Sequence, residues 1–232
     1  MAGLCYLGTI DPLNKAHSDI IVDIFGKTQH RIFADGYDIP QKPANETWPN
    51  FVNRIWTNCP DGMRFWRNDE GQDHHLLGVL GEGSIYNQLL MCKITDAIPI
   101  LCIGHSEEKT SWLSPGNNNL LNRLDFLETF CKYTAIWLRE KMGFIQAHLE
   151  IWNEPQKFMV AATYTKVVIA MTRGFLQYSN FKIHFGSNDI NIDVNSYLPL
   201  LLTNKELISL MKGQYYSTHE LWGWQHGQDY IL

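Results

Sequence analysis

Short apolar runs alternate along this chain with longer stretches whose apolar residues recur at three- and four-residue spacing. That alternation admits few folds, because each amphipathic helix must bury its stripe on the sheet that its flanking strands build. The runs Gly62–Arg67, Ala97–Ile103, Gln146–Trp152, Phe181–Phe185 and Gly213–Ser217 predict strands, each ending in polar residues. Leu4–Ile10 and Arg31–Ala34 predict two earlier ones. Helices are expected over 16–26, 47–58, 84–95, 119–142, 158–178 and 194–212. Gly143 suits the position just past a helix end, and Pro199 either sits in a first turn or breaks the last helix.

Polar segments at 69–75 and 105–119 follow strand ends, where a (β/α)₈ barrel carries its catalytic groups. An open doubly wound sheet would show the same alternation. Two features favour the barrel: no glycine-rich nucleotide loop follows the first strand, and polar residues close every strand, not one crevice.

The strongest chemical signal lies in His148-Leu149-Glu150-Ile151-Trp152-Asn153-Glu154-Pro155, an alternating strand that finishes in Asn-Glu-Pro. A glutamate heading a helix can simply complement the helix dipole. Placed on this strand among barrel-like spacings, it resembles the fourth barrel strand of clan A of the glycoside hydrolases, which ends in Asn-Glu. The resemblance implies an α/β fold of the (β/α)₈ TIM-barrel type and a retaining hydrolase acting on a poly- or oligosaccharide. Glu154 would be the general acid/base and Asn153 would bond the 2-hydroxyl of the sugar. A retaining glycosidase needs a carboxylic acid to protonate the leaving oxygen and the same group as base for water.

Other positions carry over one at a time. The clan's second strand presents an arginine that helps fix the nucleophile, which points to Arg64, with Arg67 as the alternative in Gly62–Arg67. His105 follows the third strand where a substrate contact is common, although a solvated loop histidine accounts for it equally. Asn188 closes the next strand and could bind a sugar hydroxyl or cap a helix. In 214–222 His219 would face substrate and Trp222 could stack on a sugar. The clan's tyrosine two residues after that histidine is Leu221 here, and a core role explains the same aromatics.

The six family strands map onto Arg31–Ala34, Gly62–Arg67, Ala97–Ile103, Gln146–Trp152, Phe181–Phe185 and Gly213–Ser217, so one catalytic domain over 1–232 is expected to lack its seventh and eighth βα units. A barrel of this kind takes about 250 residues, against 232 here. The clan's nucleophile is a glutamate on the seventh strand; Glu220, Glu70 and Asp189 are the carboxylates nearest in order, and none is assigned. Three arrangements meet the shortfall: an absent C-terminal part, a partner chain, identical or not, that closes the barrel, or a permuted barrel in which Leu4–Gly26 adds a unit. A carbohydrate-binding or scaffold protein with a partial barrel is the competing function.

Composition excludes other classes. A net charge of −5 without Lys/Arg clusters argues against nucleic acid or an anionic membrane as partner. No segment approaches the roughly 18 apolar residues of a membrane span. The N-terminal residues show no basic region and apolar run of a secretory signal, which leaves the compartment open. The five scattered cysteines fit buried thiols better than a disulfide framework. No metal or cofactor is expected: His74-His75 with Asp69, Glu70 and Asp73 lacks helical zinc spacing.

Overall fold

The structure is a computed structural model and describes residues 3–5, 15–25, 29–33, 42–57, 66–67, 73–74, 85–103, 123–152, 155–157, 159–189 and 193–219. In chain order the elements are β1 (Gly3–Cys5), α1 (Lys15–Phe25), β2 (Gln29–Phe33), α2 (Trp48–Thr57), β3 (Trp66–Arg67), β4 (Asp73–His74), α3 (Ile85–Ile94) and β5 (Ile98–Cys102). There follow α4 (Leu124–Ile136), β6 (Ala147–Glu150), α5 (Ala161–Phe175), β7 (Phe181–Asp189), α6 (Leu198–Leu201), α7 (Lys205–Met211) and β8 (Tyr215–His219). The protein is α/β.

Six strands form one sheet in the order β1-β2-β5-β6-β7-β8, every neighbouring pair parallel. Their spatial order is their chain order. Stepping always in one direction with the right-handed crossovers usual for parallel strands puts the connecting helices on one face, whereas a doubly wound sheet must reverse direction. Side chains agree with that layering. Register aligns Ile32, Leu101, Leu149 and Ile183 across four strands, and all four are fully buried against the cluster that holds Phe51, Trp56, Phe130, Val168 and Met171 of the helices. Burying each such aliphatic side chain stabilises the fold by roughly 1.5–3 kcal/mol.

Tryptophans tie the helix layer together. The Trp56 indole donates to the Thr134 hydroxyl at 3.0 Å and the Trp137 indole to the Asn53 side-chain oxygen at 3.0 Å. Each bond satisfies a polar atom that burial would otherwise leave costly. Among the described residues no helix is long and apolar enough to cross a membrane.

Most helix expectations are met with shorter bounds. The helix expected over 119–142 is α4 continued by a π-helical turn, Trp137–Lys141, and Gly143 beyond it has φ +75°, the left-handed conformation that glycine adopts without strain. Pro199 sits in the first turn of α6, and the helix expected over 194–212 is divided after Leu201, residues 202–204 separating α6 from α7.

Two expectations are corrected. Gly62–Arg67 is not the second strand of the sheet: its described part, β3, pairs antiparallel with β4, while β2 bonds directly to β5. Asp73 and His74, read as loop, form that small hairpin. The second strand of the sheet is β2, because β1 occupies the edge before it. An isolated apolar run does not reveal its partner, since strand pairing is settled by neighbours distant in sequence.

Helices α4 and α5 approach closely at Gly174. A Cβ there would lie 2.1 Å from the Glu128 carbonyl oxygen and 3.0 Å from the Cys131 Cβ, so any side chain must push the helices apart. Gly174→Ala is expected to destabilise the protein by about 1–3 kcal/mol, despite alanine's higher helix propensity. Urea unfolding checks this; an unchanged or raised midpoint would show that the helices separate without cost.

Candidate functional site

The face of the sheet opposite the helices is polar. A strand buried on both faces ordinarily reads as a continuous apolar run, but β6 reads Ala-His-Leu-Glu, with all four residues buried. Leu149 and Ala147 enter the helix-side core. Period-two alternation sends His148 and Glu150 to the other side. Register sets Arg31, Ile100, His148 and Lys182 in one row, and Cys102, Glu150, His184 and Tyr215 in the next.

Two interactions organise this face. Arg31 of β2 reaches across β5 and binds Glu150 of β6 through both Nε and Nη2, one nitrogen to each carboxylate oxygen. Only 4 % of the Glu150 side chain and 20 % of the Arg31 side chain is exposed. The planar guanidinium suits this paired geometry, which a lysine could not reproduce. One position further along the sheet, His148 Nδ1 lies 3.0 Å from His184 Nε2. Tyr215 completes a trio of rings, its centroid 5.3 Å from His148 and 4.9 Å from His184.

Electrostatics keep the two histidines neutral at pH 7. Burial, followed by the neighbouring His184 and Lys182, pushes the His148 pKa down to about 4. Burial also lowers His184, where the Glu150 carboxylate opposes the shift and Arg31 adds to it. His30 projects from β2 to the helix side, and burial takes its pKa to about 4, with the Gln88 side chain opposing the shift. It stands apart from the pair.

The six strands of the main sheet being parallel, their C-terminal ends share one edge. Asn188 lies near the end of β7, and its neighbour Asp189 registers with His219 at the end of β8. His219 thus pairs with Asp189, one position beyond Asn188, at the ends of adjacent strands. Asn153, Glu154, Arg64, His105 and Trp222 lie outside the described residues, as do Glu70 and Glu220. On either side of Asn153-Glu154, Trp152 and Pro155 are buried. Among the described residues no three His, Cys, Asp or Glu side chains gather as metal ligands.

Sequence reasoning missed Arg31, His148, Glu150, His184 and Tyr215 as a group. The available signal was charged and imidazole side chains at alternate positions of strands whose other residues are large and apolar. Arg31 carried no such signal toward Glu150, 119 residues away. Comparisons of the chain with protein-family models, curated proteins and solved structures found no match.

Proposed function

We propose that this protein is a retaining glycoside hydrolase with a (β/α)₈-type fold resembling clan A, acting on a poly- or oligosaccharide with Glu154 as general acid/base. The observation that carries the proposal is the position of Ile151-Trp152-Asn153-Glu154-Pro155. It follows β6 directly, and β6 is fourth in a parallel sheet whose spatial order equals its chain order. Sequential winding of parallel strands is the connectivity from which such barrels are made.

In this mechanism Glu154 protonates the departing glycosidic oxygen while a carboxylate attacks the anomeric carbon. The glycosyl–carboxylate ester that forms is then cleaved by water, which Glu154 deprotonates, so configuration is retained. Asn153 would hold the 2-hydroxyl, and His105, Asn188, His219 and Trp222 would supply further sugar contacts. Arg64 loses the support of a second-strand position, which belongs to the strand that carries Arg31. Glu150 is engaged by Arg31 through both oxygens and is not assigned as nucleophile.

Stereochemistry provides the test. The protein should hydrolyse members of an aryl glycoside panel and release, as first product seen by proton NMR, a sugar of the substrate's own anomeric configuration. Inverted product would remove the double displacement. Saturable oligosaccharide binding without any hydrolysis would favour a carbohydrate-binding protein instead.

A further inference from the structure

We propose that His148 and His184 form an acid-sensitive latch between β6 and β7, closed while the two rings share an N–H and opened when both are protonated. The geometry allows nothing else at that contact. With 3.0 Å between Nδ1 of His148 and Nε2 of His184, one nitrogen must donate and the other accept. A neutral pair satisfies this with one bond. A singly protonated pair also satisfies it, because an imidazolium donates to a neutral imidazole. Two imidazoliums cannot, since both facing nitrogens then carry hydrogen and like charge.

The surroundings set the order of protonation. Among the described residues the charged and titratable groups on this face around the pair are Arg31 from β2, Cys102 from β5, Glu150 from β6, Lys182 from β7 and Tyr215 from β8. The Glu150 carboxylate registers beside His184 and favours the first proton there. Lys182 registers beside His148 and opposes the second. With His148 buried as well, the second proton enters only in acid and at the expense of the contact.

The sign of the linkage is definite. Both rings have pKa values below the ordinary histidine value near about 6.5, so the open form binds more protons than the closed one. Stability from the pair is complete above that pH, falls as pH drops through it, and goes on falling until His148 titrates in the fold at about 4. The strand that opens leads, through Ile151 and Trp152, into Asn153-Glu154. The latch nevertheless concerns packing, and it stands whether or not the chain cleaves glycosides.

Nitrogen NMR of the intact protein tests it without a variant. An N–H···N bond between two imidazoles gives a through-bond nitrogen–nitrogen coupling. His30 does not contribute one, because it projects to the helix side of the sheet, away from the pair. At neutral pH one such coupling is expected between two histidine rings, and it should vanish together with the near-ultraviolet dichroism of packed aromatics as the solution is acidified, then return on neutralisation. His148→Gln retains a hydrogen-bonding side chain but has no ring to titrate. Its loss of near-ultraviolet signal should move to lower pH, with proton uptake across the transition reduced by about one. Absence of the coupling at neutral pH, or its persistence below the transition, would overturn the latch. So would a His148→Gln transition equal to wild type in midpoint and steepness. Should that variant not fold, the wild-type coupling decides alone.

Discussion

Replacing Glu154 by Gln is expected to lower kcat on glycosides with poor leaving groups by about 10²–10⁴-fold, the range that a positioned general acid supplies. Gln has the same shape but cannot release a proton, so the departing alkoxide must leave unprotonated. Dinitrophenyl glycosides need no such help, and their first step should keep most of its rate. Breakdown of the glycosyl ester then becomes slow, because water loses its base. Azide needs no deprotonation; added to Glu154→Ala, where truncation leaves room for it, it should restore turnover and give the glycosyl azide of retained configuration. Equal losses on good and poor leaving groups, with no azide effect, would remove Glu154 from acid/base chemistry and leave it a structural residue at a helix start.

Arg31→Met is expected to cost about 3–5 kcal/mol of stability. The size follows from what is left behind. Glu150, with 4 % of its side chain exposed, would be left in a poorly solvated place without the guanidinium that binds both its oxygens. Exposed ion pairs behave differently: Lys15–Asp19, with 84 % and 54 % exposure, should contribute about 0–1 kcal/mol. Changing both partners, Arg31→Met with Glu150→Met, removes the stranded charge and should recover much of the loss. Urea unfolding of the two single variants and the double would measure this coupling. Additive losses would mean that the pair contributes nothing specific across β5.

Helix positions were legible because their signals are local. Apolar residues three and four apart, Gly143 at a left-handed turn and Pro199 in a first turn each act within one helical turn of themselves. Strand existence was also legible at Ala97–Ile103, Gln146–Trp152 and Phe181–Phe185, where apolar residues concentrate. Strand membership was not. Gly62–Arg67 and Arg31–Ala34 both read as strands, yet β2 pairs with β5 and β3 pairs with β4. Pairing depends on which backbone edges meet, and those edges come from segments far apart in the chain.

For the candidate site the division has the same cause. By itself the sequence determined the alternation of βα units and put Asn153-Glu154-Pro155 directly after one strand, because both rest on residues adjacent in the chain. Only the tertiary structure decided that Arg31 reaches Glu150 and that His148 faces His184. Each of those facts is a meeting of side chains across hydrogen-bonded strands, and the register that brings them within reach follows from packing the whole sheet against its helices.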